Sequence, residues 1–187
     1  MAKNNAKLVS VGKPVVTGAL NAAPVGTPLP TDAANPLNEA FVNLGYCGED
    51  GVKNQNEKDS EDFKAFGGDV VLTVNTSRKE TLSFTFIQVL DEDVLKEVYG
   101  TDNVTTSEDG TLVVKHNSKN LPHRSYVIEM LMSNGAVKRI VIPDCMITEI
   151  GEVTYKDDEL VAYPVTLSCF PDKNGDTVIE YIAKAAA

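Results

Sequence analysis

Residues 81–100, TLSFTFIQVLDEDVLKEVYG, change period in the middle. Up to Val89 the apolar residues alternate. Leu82, Phe84 and Phe86 fall on one face, and Thr81, Ser83 and Thr85 on the other. That pattern predicts a half-buried strand. From Asp91 to Gly100 the spacing becomes helical. Asp91 is a good N-cap, Glu92 and Asp93 complement the positive end of the helix dipole, and Gly100 is a natural stop. Val94, Leu95 and Val98 make the apolar stripe. A helix of at most about three turns covers only a patch of core. It is therefore expected to plug one open end or side of a β-structure.

Working outward, DVVLTVNT (69–76) reads as the preceding strand. Val70, Leu72 and Val74 share one face, and Asp69, Val71, Thr73 and Asn75 share the other. With Ser77-Arg78-Lys79 as a short turn, 69–76 and 80–89 are expected to form a hairpin. Its more polar faces then join into one surface of Thr, Ser, Asn and a single Asp, interrupted by Val71. Downstream, RSYVIEMLM and AVKRIVI flank Asn134-Gly135, a strong hairpin signal. A two-residue turn pairs Met132 with Val137, Met130 with Arg139 and Ile128 with Val141. Leu131 then faces Lys138, and Glu129 faces Ile140. Neither face is cleanly polar, as expected of a sheet covered on both sides. TLVVKH (111–116), part of 145–155, ELVAYPVTLSCF (159–170) and TVIEYI (177–182) read as further strands, with DKNG (172–175) a turn and 101–110 a simple loop. Roughly eight to ten strands and one short flanking helix predict an all-β sandwich or barrel.

Residues 1–40 differ from the rest. They are rich in Ala, Pro, Gly and Val, and Pro14, Pro24, Pro28, Pro30 and Pro36 argue against a long helix or a central strand. Low charge sets this stretch apart from a solvated disordered tail. It is expected to be an extended arm lying on its own domain or on a neighbouring subunit. The β-domain is expected to span 41–187, starting with FVNLGYC (41–47). GEDGVKNQNEKDSEDFKAFGG (48–68) reads as a long polar loop. Such a length points either to a surface loop or to a segment that orders on a partner, with Phe63 and Phe66 as anchors.

The net charge is −10, which repels phosphate backbones and anionic membranes. The N-terminus shows no apolar run of signal-peptide length, and no window reaches the length of a membrane span. Cys47, Cys145 and Cys169 lack the count and spacing of a disulfide framework or a zinc site, and read as small apolar residues kept reduced. His116 and His123 have no nucleophile context. Asp172–Asp176 has its glycine in the wrong place for a calcium loop, and Asp157-Asp158-Glu159 reads as a solvated turn. Gly45, Gly48 and Gly51 precede no helix and so cradle no phosphate. No catalytic, cofactor or metal residues are expected.

Three stretches together resemble the tail tube (major tail) proteins of long-tailed, non-contractile phages, in particular those of actinobacterial hosts. They are PVVTGALNAAPVGTPLPTDAANPLNEAFVNLGYCGEDG (14–51), FKAFGGDVVLTVNTSRKETLSFTFIQVLDEDVLKEVYG (63–100) and ELVAYPVTLSCFPDKNGDT (159–177). The resemblance implies a structural virion protein, assembled in the host cytoplasm. It implies hexameric rings, stacked into a tube that conducts DNA during ejection, with other tail proteins at the tube ends. Neighbouring sheets join edge to edge in such rings, and the arm and long loop make ring-to-ring contacts. On that reading Asp69, Thr73, Asn75, Thr81, Ser83 and Thr85 line the bore. Their hydroxyls keep it hydrated without gripping phosphate, and they lie in an acidic wall that repels DNA. Glu49, Asp50, Phe63 and Phe66 belong to the inter-ring loop. A capsid-decorating or adhesin-like binding domain is the competing class, and low aromatic content gives it little support. The type VI secretion tube shares the general architecture, but the Pro-rich arm fits the phage family better.

Overall fold

Two long strands organise the chain, and neither ends where the sequence suggests. The computed structural model describes residues 4–15 and 18–184. Its strands are β1 (Gly12–Pro14), β2 (Leu20–Pro24), β3 (Val42–Asn43), β4 (Lys53–Lys64) and β5 (Val70–Phe86), followed after helix α1 (Glu92–Tyr99) by β6 (Val104–Thr106), β7 (Leu112–Val114), β8 (Arg124–Met132), β9 (Val137–Ile150), β10 (Tyr163–Phe170) and β11 (Ile179–Ala183). The main sheet runs in the order β3-β2-β8-β9-β10-β5-β4, with β1 on β8 and β11 on β9; β6 and β7 make a separate small hairpin within the expected 101–116 loop and strand.

The expected turn at Ser77–Lys79 does not exist. β5 passes straight through it, because those residues include no Gly or Pro to force a reversal and each finds a partner on β4. Ser77 Oγ donates to Asp59 Oδ2 at 2.6 Å, and Arg78 sits opposite Lys58. The true reversal lies ten residues earlier, at Phe66-Gly67-Gly68, where both glycines have positive φ. The expected loop 48–68 is therefore mostly strand β4. Polar side chains do not disfavour a strand whose two faces both meet solvent.

β9 likewise runs unbroken through Pro143, merging two expected strands. Its first half lies between β8 and β11, and its second half pairs with β10. The sheet thereby curls over and packs on itself. Phe84 of β5 and Tyr126 of β8 are three strands apart in the order, yet their rings lie 6.2 Å apart. Leu82, Phe84, Phe86, Val165 and Leu167 from one side meet Leu20, Ala22, Ile128 and Ile142 from the other in a single core. This is the expected all-β sandwich or barrel with one flanking helix.

Helix α1 closes the core. Asp91 caps it by accepting from Asp93 N–H at 2.9 Å, and Val94, Leu95 and Val98 are buried. The Tyr99 ring packs on His116 and Tyr163. Glu97 is buried too, where Tyr126 Oη donates to its carboxylate at 3.0 Å and Arg124 pairs with it. Burial pushes the Glu97 pKa up, and the Arg124 guanidinium only partly offsets this.

Within the N-terminal segment, β2 is paired into the main sheet. β2 pairs with β8 and β3, and Leu20, Ala22 and Ala23 are fully buried. Pro24 is tolerated in an interior strand because it is the last residue of β2. Of the residues expected in the arm, 1–3, 16 and 17 lie outside the described residues. The β8–β9 turn explains how the segment is held. It contains three residues, Ser133-Asn134-Gly135, not two. Gly135 N–H donates to Met132 O, and Gly135 itself has φ 83°, which only Gly adopts without strain. The expected register is therefore off by one, and Arg139 faces Glu129 instead of Met130. Arg139 Nε donates to Glu129 Oε1 at 3.0 Å, and its other nitrogens donate to the carbonyls of Asp32 and Asn35 at 2.9 Å. This buried guanidinium pins the 25–40 stretch to the sheet.

Candidate assembly surfaces

The half of the sheet formed by β4, β5, β10 and the second half of β9 has backbone unpaired on both sides. Among the described residues nothing pairs with the outer edge of β4, and β8 leaves β9 at the pair Arg124:Cys145. Strand polarity alternates across all four strands. Pro164 accepts from Gly151 N–H, and Thr85 accepts from Gly48 N–H. Counting along each strand from these bonds, Asn54, Asn56 and Lys58 of β4 aim their backbone N–H and C=O away from β5. Beside the open edge of β9, a cleft of about 390 Å³ separates Met146–Ile150 from the Lys115–Leu121 loop.

The outward face of the same four strands is rich in hydroxyls. Thr81 and Ser83 lie opposite Ser168 and Thr166 of β10, and Thr85 opposite Pro164. Thr148 Oγ1 and Ser168 Oγ are 3.0 Å apart. A shallow hollow of about 320 Å³ on this face is lined by Lys53, Ser83, Thr166 and Glu149, among others. The contributions of Thr148, Thr166 and Ser168 become visible only once β10 is known to lie between β5 and β9.

Asp69, Thr73 and Asn75, expected on the same surface, are not brought to it. Asp69 sits in the turn before β5. The pairing steps from Asp59:Ser77 to Ser60:Asn75, leaving Thr76 as an inserted residue. Such a bulge reverses which side successive residues occupy. Thr73 pairs with Asp62, an odd number of positions along β4 from Gln55, the partner of Thr81, and so lies on the opposite side of the ribbon. Thr73 Oγ1 donates to Asp62 Oδ1 at 2.7 Å.

Beyond the body the β4–β5 hairpin continues with both faces in solvent, from about the pair Lys58:Arg78 to Lys64:Val70. At about 3.3 Å per residue this is roughly 20 Å of exposed ribbon. One side of it is apolar: Phe63 lies opposite Leu72, and Val74 follows, all exposed, with Phe66 and Val70 at the tip. The root is held tightly. Buried Glu80 accepts from Asn54 Nδ2 at 3.2 Å and from Thr177 Oγ1, and pairs with Arg78. Glu49 and Asp50, expected to act with Phe63 and Phe66, are at the other end of the sheet, in the turn before β4. There Tyr46, Leu90, Tyr155 and Leu160 are also exposed.

The phage tail tube protein family matches the chain over residues 1–187. No curated protein matches it in sequence. Among solved structures it is similar to the tube-terminating cap of the anti-feeding prophage, with 10% identity over 94% of this chain and 95% of that one and a TM-score of 0.47. It is also similar to a chain of the sheath–tube complex of the extracellular contractile injection system PVC in its extended state, with 7% identity, 90% of each chain covered and a TM-score of 0.45. The chain belongs to the phage tail tube protein family.

Proposed function

We propose that copies of this chain join head to tail into rings and that the rings stack into a conduit for DNA, a structural role without catalysis. The observation that carries this reading is the four-stranded sheet with two open edges. With an even number of alternating strands, β4 of one copy meets β9 of the next antiparallel, so the ladder continues without a polarity break. Heterologous contacts close into rings when the rotation between successive copies completes a circle. Lys53 and Glu149 stand at the two edges in one cross-strand row, so joining brings opposite charges together. The family likeness supports six copies per ring.

In this arrangement the hydroxyl face with Thr81, Ser83 and Thr85 lines the bore. The apolar hairpin tip with Phe63, Phe66, Leu72 and Val74 seats on the next ring, at the end bearing Glu49 and Asp50. Asp69, Thr73 and Asn75 belong to that ring-to-ring contact. The virion tail, assembled in the host cytoplasm with other tail proteins at the tube ends, is the setting. At −10 per chain the bore repels DNA and lets it pass.

The test is Asn56→Pro. Its N–H points out of the sheet, so proline costs the lone subunit little and removes a donor from the joined edge. The variant should keep wild-type circular dichroism and form neither rings nor tubes by electron microscopy of concentrated protein. Normal tubes from this variant would refute the edge pairing, and a wild type that stays a compact monomer would refute the tube.

A further inference from the structure

The fold places two of the three cysteines directly opposite one another. Cys145 of β9 and Cys169 of β10 are cross-strand partners, and all three cysteines are free thiols. On β10 the even-numbered residues aim their backbone groups at β9, as the 2.8 Å bond from Gly151 N–H to Pro164 O shows. Cys169 therefore aims its own backbone at β5, which makes Cys145:Cys169 a non-hydrogen-bonded pair. In that class the Cα atoms lie about 4.5 Å apart, inside the range a disulfide spans. Both side chains are on the core face, since Cys169 follows Val165 and Leu167 on that side and Cys145 packs in the core cluster. Cys145 is fully buried and Cys169 half-buried, so only Cys169 meets a soluble reagent. Cys47 is remote, bridging to Phe86 at the other end of the sheet.

We propose that Cys145 and Cys169 form a cross-strand cross-linking site, closed into an intrachain disulfide by a small soluble disulfide. Cys169 gives its proton to water, and its sulfur attacks one sulfur of the reagent. The reagent's S–S bond breaks and one thiolate leaves. Cys145 then loses its proton and attacks the Cys169 sulfur, which releases the second thiolate. The pair gives up two protons and two electrons, and the reagent becomes two thiols. The new bond falls where β9 leaves β8 for β10, so it staples the bend between the two halves of the sheet.

Burial pushes the Cys169 thiol up to about 12, with the Glu80 carboxylate adding to the effect, and burial pushes Cys145 well above its ordinary value. The thiolate is the attacking species. Raised values lower the thiolate fraction, so the pair closes faster in alkaline buffer.

The experiment treats the full chain with glutathione disulfide in mildly alkaline buffer, then unfolds it, alkylates it and maps the cysteines by mass spectrometry. The expected product has lost two hydrogens, carries no glutathione, and alkylates at Cys47 alone. Its thermal midpoint rises by about 6–12 °C, reversibly with dithiothreitol. Cys169→Ser shows none of this. A stable glutathione adduct on Cys169, a bond through Cys47, or alkylation at all three positions would overturn the proposal.

Discussion

The two halves of β5 carry the same kind of sequence and meet opposite surroundings. Leu82, Phe84 and Phe86 alternate with hydroxyl residues and are buried; Leu72 and Val74 alternate with polar Thr73 and Asn75 and are exposed. Alternation therefore reports that a strand has an apolar side. It does not report that its own chain covers that side. The difference is made by what lies against each half: the first has β10 beside it and packs into the core with α1, whereas among the described residues the second has β4 as its strand partner.

Three variants along this one strand probe the contrast. Phe86→Ala, in the fully buried half, should destabilise the subunit by about 3–5 kcal/mol in chemical denaturation. A much smaller loss would mean that the body half is less packed than its burial suggests. Glu80→Ala, at the junction, leaves Asn54, Arg78 and Thr177 short of an acceptor and should cost about 1–3 kcal/mol by the same measurement. Leu72→Ser with Val74→Ser, in the ribbon, should stay within about 0.5 kcal/mol of wild type for the dilute subunit. The same pair should abolish tubes in sedimentation of concentrated protein. If the ribbon substitutions destabilised the monomer as Glu80→Ala does, the two halves would not differ in kind.

This contrast also explains which parts of the fold were legible in the sequence. The 80–89 strand and α1 could be read because their periodicity reflects burial in this chain. β4 could not, since KNQNEKDSEDFK has no buried side and its strand is held by backbone pairing. Gly67-Gly68 ahead of an apolar run was the available hairpin signal, and the charged Ser77–Lys79 stretch drew the turn away from it. The bulge at Thr76 leaves no mark in composition, so the expected continuous hydroxyl face lost Asp69, Thr73 and Asn75. Pro24 at the margin of β2 concealed a core strand, because only its position as last residue makes it harmless.

The place of β2 bears on when folding finishes. Leu20 lies opposite Ile128, and Asn21 opposite Val127, so an early-made strand waits for a partner more than a hundred residues downstream. During synthesis Leu20–Ala23 emerge with no strand to bury them, and Arg139, which fastens the stretch after them, emerges later still. Closure of the body therefore waits for β8 and for Arg139, and carries the loop-closure cost of a contact made across that separation. Through that interval the nascent chain presents an apolar segment near its N-terminus that a chaperone, or another unfinished chain, is free to seize.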